Sequence, residues 1–307
     1  MKHIFIVNPI SGKNDAGKTM VPAIIEAAAA RALSYEIEIT REPKHATRLA
    51  AQYAENGGPV RLYAVGGDGT LNEVMAGAYP YKNAAVAAVP VGSGNDYVRN
   101  FGVAEDFLNI AQLLEGRAIP VDLMKVDHGI SLAITSVGLD ADVAYGIPKY
   151  RRVPALGGSM AYNASIIENL LKPIGKRVRI TIDGRATEGT YLIATVCNGQ
   201  TYGGGYRAAP EADLQDGVLD IILVKKISRL SIAGIIGKYK QGKHFSGGKI
   251  IPSLQNMIEH FTGHEVDITP LDKKGFILNE DGECGPAPRL HAKVMPLAAA
   301  WKGKFVE

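Results

Sequence analysis

Two glycine-rich loops hold the residues best suited to phosphate chemistry. Gly66-Gly67-Asp68-Gly69-Thr70 follows an apolar run at 61–65 and precedes a helical pattern at 71–78. Glycines there let the backbone approach a bulky anion and expose its N–H groups. The start of the following helix adds a partial positive charge that suits phosphate. Asp68 would be unfavourable in an anionic pocket unless a cation joins it, so it points to Mg²⁺. The second loop, Gly92-Ser93-Gly94-Asn95-Asp96, follows the apolar run 84–89 and repeats this logic. An ordinary strand-to-helix turn with Asn or Asp caps is the competing account of both.

A third stretch, Gly12 to Thr19, satisfies the G-x-x-x-x-G-K-T phosphate-loop pattern. Asn8-Pro9-Ile10-Ser11 intervenes between the preceding strand and Gly12, which argues against a true nucleoside-triphosphatase loop. The turn can still bind phosphate through its backbone and Ser11.

Taken together, Asn8-Pro9-x-Ser11-Gly12, Thr40, the 66–70 loop with Asn72-Glu73, and Gly92-x-Gly94-Asn95-Asp96 resemble the diacylglycerol kinase catalytic family. That family includes bacterial lipid kinases and relatives of sphingosine and ceramide kinases. The resemblance continues through Asn198-Gly199, Gly203-Gly204-Gly205, Pro210, Asp216-Gly217-x-Leu219-Asp220 and Asp281-Gly282-Glu283, and so covers nearly the whole chain. It implies an ATP-binding first domain and a β-rich lipid-binding second domain. By position, Asn8, Pro9, Ser11, Gly12, Thr40, Gly66, Gly67, Asp68, Gly69, Thr70, Asn72, Ser93, Gly94 and Asn95 would line the ATP site. Ser93 stands where many relatives carry Thr and keeps the hydroxyl. Asp68, Asp96 and Asp122 would organise Mg²⁺, and Glu283 would take the proton of the lipid hydroxyl. Asp122 also reads as a strand-end hydrogen-bond acceptor, and Asp281-Gly282 as a plain hairpin turn that leaves Glu283 exposed. The loop 213–218 would hold a structural Mg²⁺ through Asp213, Asp216 and the Val218 carbonyl; the bland account is an Asx turn. Gly-Gly-Asp-Gly-Thr is shared with NAD kinases, so a soluble acceptor is the alternative. A nucleotide-binding regulator without catalysis is the third reading.

These loops need a scaffold, and the first part of the chain supplies alternating strand and helix patterns. Strands are expected at 4–7, 35–39, 61–65 and 84–89, and helices at 20–33, 45–56 and 71–78. This rhythm predicts an α/β nucleotide-binding domain with a parallel sheet. Beyond 121–123 the pattern changes to β-type runs at 131–137, 178–182, 190–197, 219–224 and 275–278. Helices interrupt them at 160–171 and 231–239, and the expectation is a β-rich, mostly antiparallel domain. The domains are placed at 1–125 and 126–295. The tail 296–307 returns to the first domain, because Trp301 and Phe305 want a core.

Of 307 residues, 46% are hydrophobic and 21% charged, with a net charge of +3. This excludes a disordered tail protein and argues against a nucleic-acid partner. Two cysteines, Cys197 and Cys284, cannot build a disulfide framework, so a reducing cytoplasm is expected. Cys284, beside Glu283, reads as an inert small side chain. There is no signal-peptide pattern and no apolar run near 20 residues. A lipid substrate therefore implies a visit to the membrane surface. The stretch 231–245, with Lys238, Lys240, Lys243 and His244, and the cluster Lys149-Tyr150-Arg151-Arg152 could meet anionic headgroups. A solvated helix end explains them too, and self-association into a homodimer stays open.

Overall fold

A computed structural model describes residues 1–12, 15–151, 159–272 and 275–303. The chain divides into two compact units. Unit 1 comprises Met1–Leu123, Leu214–Asp216 and the chain from Met295; unit 2 comprises Met124–Asp213 and Gly217–Val294. Nothing in the sequence pattern hints that Leu214–Asp216 groups with unit 1. Phe305, Arg152, Lys13 and Asn14 lie outside the described residues.

Unit 1 alternates β1 (Lys2–Val7), α1 (Ala16–Ala29), β2 (Tyr35–Ile39), α2 (His45–Glu55), β3 (Val60–Gly66), α3 (Asp68–Ala78) and β4 (Ala84–Pro90). A short α4 (Ile110–Glu115) and β5 (Ala118–Val126) follow. β2, β1, β3 and β4 are neighbours in that order and all parallel. The apolar runs of β1, β3 and β4 are buried on both faces, as helix-covered parallel strands require, and β2 is a half-exposed edge strand. α1 starts four residues before the helix pattern suggests. Asp15 caps it, its carboxylate accepting from Gly17 N at 2.9 Å, and Ala16 is buried.

Unit 2 runs β6 (Gly129–Ser131), β7 (Ile134–Gly138), α5 (Leu139–Arg151), α6 (Ser159–Leu171), β8 (Lys176–Ile182), β9 (Arg185–Cys197), β10 (Thr201–Tyr202) and β11 (Tyr206–Arg207). Then come β12 (Leu219–Lys225), α7 (Arg229–Lys240), β13 (Phe245–Ser246), β14 (Lys249–Ile250), β15 (Ile258–Gly263), β16 (Glu265–Pro270), β17 (Phe276–Glu280), β18 (Glu283–Ala287) and β19 (Leu290–Lys302). The order β18-β17-β7-β9-β8-β16-β19 is antiparallel throughout, and β12 joins β9 to β15. Val178, Ile180, Val196, Leu219, Ile221, Leu223, Val266, Ile268 and Leu290 form its core. The α/β first unit and β-rich second unit are the expected fold class. One strand expected at 131–137 is two, β6 and β7. α5 was not legible, because β7 turns into it at Gly138 with no intervening loop. Gly138 has φ +123°, and a Cβ there would lie 2.3 Å from Leu192 O.

The far end of β19 runs parallel to β4, with Trp301 opposite Val86. Trp301 is fully buried and stacks on Phe101 at 5.0 Å, with Tyr97 edge-on at 5.1 Å. The next residue, Lys302, is buried as well. Its Nζ donates to Leu114 O at 2.6 Å and to the Tyr63 hydroxyl at 3.3 Å. Burial, helped by the nearby Arg61 charge, lowers its pKa to about 7. The unfolded chain restores the ordinary value of about 10.4. Between these values the unfolded state binds more protons, so raising the pH stabilises unit 1. From pH 7 to 9 its unfolding free energy should rise, by up to about 1.4 kcal/mol per pH unit. Trp301 is the sole tryptophan of the chain, so its fluorescence in denaturant titrations reads this unit. Lys302→Met should flatten the pH dependence; an equal slope in the variant would remove Lys302 as its cause.

Candidate functional site

In unit 1 the loops after β1, β3 and β4 meet at one edge of the sheet. Gly12 has φ +79°, and a Cβ there would sit 2.1 Å from Val91 O. A Cβ on Gly92 would sit 2.4 Å from the Gly67 Cα. Only backbone fits at these crossings. Asn8 N donates to Val65 O, Thr40 N to Val7 O and Val91 N to Gly66 O, which joins the loop stems. The Asn8 side-chain amide donates to Thr70 Oγ1 at 3.0 Å and accepts from Ile10 N at 3.2 Å. The neighbouring Pro9 and Ser11 lie half-buried on this turn.

α3 begins with Gly67 as N-cap, and no side chain caps it. Its first intrahelical bond runs from Leu71 N to Gly67 O. The amides of Asp68, Gly69 and Thr70 precede that bond, the arrangement that receives a phosphate. Asp68 Oδ1 accepts from Tyr97 N at 3.1 Å, so one carboxylate links two of the loops. From the Cβ position of Gly94, Asp68 Oδ2 is 3.0 Å away and Asp96 Oδ2 3.6 Å. Two carboxylates thus flank one point with hard oxygen donors, which fits a divalent cation such as Mg²⁺. Arg99 Nε lies 3.4 Å from Asp96 Oδ1, and its guanidinium also donates to Gly94 O. Sequence reasoning missed Arg99; its spacing of three from Asp96 was the available signal.

Other motif residues shape loops. Asn95 has φ +55° and its amide donates to Pro90 O and Gly92 O. Glu73 accepts from Lys44 N and Ala46 N, and so caps α2, whose own N-cap Lys44 has no capping side chain. Asn72 lies on α3, and Ser93 is exposed on its loop. Lys18, the lysine of the phosphate-loop pattern, has a side chain 85% exposed and lies 4.0 Å from Asp15, the cap of α1.

Asp122 is fully buried in β5. Its Oδ1 accepts from Leu297 N at 2.7 Å, and its N–H donates to Leu214 O at 2.6 Å. Leu297 has φ +48°, so Asp122 stabilises a strained turn in β19. Asp122 thus makes the strand-end acceptor contact, while Asp68 and the buried Asp96 lie on the loops after β3 and β4. Asp213 and Asp216 are exposed and Val218 half-buried.

In unit 2, Asp281 and Gly282 form the two-residue turn between β17 and β18, with φ of +48° and +96°. Glu283 opens β18 and is exposed. The turn is more than a connector. The Asp281 carboxylate accepts from the amides of Leu132, Ala133 and Ile134. Asn198 binds the same stretch from the other side, donating to Leu132 O through its side chain and to Ala133 O through its backbone. These ties interrupt the strand expected at 131–137. They also bring Asn198 and Asp281, two distant motif residues, onto one segment. Burial pushes the Asp281 carboxyl up, against the three amides that favour its charge.

Two surface expectations change. His244 is buried, its ring nitrogen pairing with Ala208 O at 2.9 Å, so it leaves the basic patch. Lys149 pairs with Glu168 at 3.0 Å. Lys238, Lys240 and Lys243 are exposed, near Leu230 (87% exposed) and Ile236 (38%). On β16 and β19, Glu265, Asp267 and His291 cluster, but Lys293 and the Asp267–His291 bond at 3.0 Å already balance them.

The family model "Diacylglycerol kinase catalytic domain" matches residues 2–126, and "YegS C-terminal NAD kinase beta sandwich-like domain" matches 133–300. The chain belongs to the diacylglycerol kinase family. A diacylglycerol kinase of Bacillus subtilis is 27% identical over 285 residues, covering 91% of this chain and 89% of that one. One from Staphylococcus carnosus is also 27% identical, covering 94% and 91%. A crystal structure of a diacylglycerol kinase from Bacillus anthracis superposes with a TM-score of 0.70 at 23% identity, covering 98% and 96%. A member of this lipid-kinase family is a phosphotransferase with a hydroxyl acceptor.

Asp281→Ala should leave three amides without their acceptor and cost about 2–4 kcal/mol of unit 2 stability. Hydrogen exchange at residues 132–134 reads this directly. Unchanged protection there would show that Asn198 alone holds the segment.

Proposed function

We propose that the protein uses ATP and Mg²⁺ to phosphorylate a lipid hydroxyl, with diacylglycerol as acceptor and phosphatidic acid as product. The observation that carries this reading is the uncapped start of α3, with Asp68 and Asp96 flanking Gly94. The amides of Asp68, Gly69 and Thr70 receive phosphate oxygens of the nucleotide, and the Gly12, Gly67 and Gly92 backbone allows its approach. Asp68 and Asp96 hold Mg²⁺, which when bound neutralises charge on the phosphates. Asn8 and Thr70 keep the loop in shape through their hydrogen bond. Asp122 acts as a positioning residue through Leu297 and Leu214. Glu283 accepts the proton of the attacking hydroxyl. Asp213, Asp216 and the Val218 carbonyl are proposed as donors for a structural Mg²⁺, on their oxygen chemistry alone.

Among the described residues no helix is long and apolar enough to cross a membrane. Access to a lipid is proposed at the membrane surface, through α7 and the turn that follows it. There exposed Leu230 and Ile236 accompany Lys238, Lys240 and Lys243, each basic residue contributing on the order of 1 kcal/mol near anionic lipid.

Transfer of label from γ-labelled ATP to a panel of acceptors tests the reading. Label in phosphatidic acid is the expected result; label in NADP would replace the acceptor class. Asp68→Ala should reduce transfer at least about 10³-fold with the fold intact. Glu283→Gln should lower kcat about 10²-fold or more and leave the KM for ATP near wild type; an unchanged kcat would remove Glu283 from the mechanism. Charge reversal at Lys238, Lys240 and Lys243 should weaken sedimentation with phosphatidylglycerol vesicles, and equal binding would exclude this patch.

A further inference from the structure

A helix on the surface of a water-soluble protein buries apolar side chains and exposes polar ones. α6 does the reverse. The residues it buries against α5 are Ala161, Ser165 and Asn169. Ser165 Oγ donates to Val143 O at 2.6 Å, and the Asn169 amide donates to Ser165 O at 2.9 Å and to Asp142 O at 3.3 Å. A Cβ on Gly146 would lie 2.5 Å from Ser165 Oγ, so small residues on both helices permit the close approach. The outward stripe carries Met160, Ile167 and Leu171 at helical spacing, with Asn163 beside them. Ile167 is 60% exposed and Leu171 79%.

α7 extends this surface. The Arg229 guanidinium donates to Leu170 O at 2.5 Å and to Lys172 O at 3.0 Å, which ties the start of α7 to the end of α6. Leu171 lies between the two acceptors and Leu230 follows the donor. The two most exposed leucines among the described residues therefore share one stretch of surface. From Leu230 to Gly237 the exposed residues are Leu230, Ala233, Gly234, Ile236 and Gly237, none of them polar. A Cβ on Gly234 or Gly237 would meet nothing within 4 Å.

The charge around this face selects its partner. Lys172, Lys226, Arg229, Lys238 and Lys240 are exposed at its margins. α7 has no acidic residue, and the one acid of α6, Glu168, is shared by Lys149 at 3.0 Å and Lys172 at 2.9 Å. A second copy of the chain would set these cations against one another across a two-fold axis. An anionic bilayer offers the opposite charge at the rim and an apolar phase at the centre, the pattern an interfacial helix matches.

We infer that α6 and the first turns of α7 form a single wedge that inserts into the interface of an anionic phospholipid bilayer. Ile167, Leu171 and Leu230 enter the acyl layer, the basic side chains stay among the headgroups, and Arg229 keeps the two helices together. The inference rests on the lipid-kinase reading for the choice of a lipid surface. It adds apolar insertion, with α6 as half of the surface, to the lysine attraction proposed for α7.

The experiment uses the full chain, no ATP, and vesicles of phosphatidylglycerol and phosphatidylcholine. Leu171→Ser combined with Leu230→Ser should weaken partition onto the vesicles about tenfold or more. Ile25→Ser, at an exposed position of α1, should stay within about twofold of wild type. Leu171→Trp puts a reporter on the wedge: its fluorescence should fall by about a third or more when the acyl chains carry bromine. The wild type, whose Trp301 is buried in unit 1, should show no such loss. The tryptophan variant keeps an apolar side chain, so it decides the matter if the serine pair fails to fold. Equal partition of the serine pair, or no bromine quenching of bound Leu171→Trp, would overturn the inference. So would a wild-type dimer that the serine pair turns into a monomer with vesicle binding unchanged. Vesicle binding as expected, with no lipid labelled from ATP, would instead defeat the lipid-kinase reading and leave the wedge in place.

Discussion

Backbone contact without side chains, where three loops of unit 1 cross, is the constraint on which the phosphate-facing edge depends. Gly92 and Gly67 approach so closely that a Cβ has no place, and Gly12 meets Val91 O in the same way. This closeness aligns the start of α3 with the loop after β4, and it lets Asp68 reach Tyr97 N. The parallel strands beneath supply rigidity, with β1, β3 and β4 buried almost throughout. Loose loops on the same strands would leave the α3 amides unaligned. A phosphate site needs donors held in place before the ligand arrives.

Unit 2 solves a related problem with carboxylates in place of glycines. Asp281 holds three consecutive amides of the β6–β7 connection, and Asn198 holds the intervening carbonyls. The hairpin that presents Glu283 is thereby anchored to the centre of the sheet and not free to swing. Asp220 repeats the device, bonding His260 at 2.6 Å across the β12–β15 pair. Several acidic motif residues of this chain are thus structural acceptors. Asp122, Glu73 and Asp281 all bind backbone amides. A carboxylate accepting amides is a strong tie, because the bond is charge-assisted.

Polar burial is not uniform. Lys302 and His3 flank Tyr63 in a tight, mutually bonded group under the sheet of unit 1. In unit 2 the buried Asp140 carboxyl stands beside Ser136 of β7 and Tyr202 of β10, and Tyr202 beside Tyr239 of α7. The first arrangement closes a core around Trp301; the second gathers residues of separate elements. Which polar residues folding brings together is not something composition reports.

Local signals in the sequence determined much of the framework. Alternation of short apolar runs with Ala-rich helical stretches defined the α/β unit, and β2 falls at Tyr35–Ile39 as its pattern indicates. Period-two runs and Asp-Gly turns marked the antiparallel unit, since a hairpin turn is encoded by the two residues that form it. The glycine loops were legible for the same reason: a strand end, glycines and a helix start are contiguous. What tertiary structure alone decided involves partners far apart in the chain. The split of residues 131–137 needs the Asp281 carboxylate 147–149 residues away. The burial of His244 needs Ala208, and that of Asp122 needs Leu297. α5 was hidden because its start is set by Gly138 packing on Leu192, not by a loop of its own. Which acids face a ligand and which hold the backbone is likewise a matter of long-range geometry. The residue types are identical, and only the neighbours that folding delivers distinguish them.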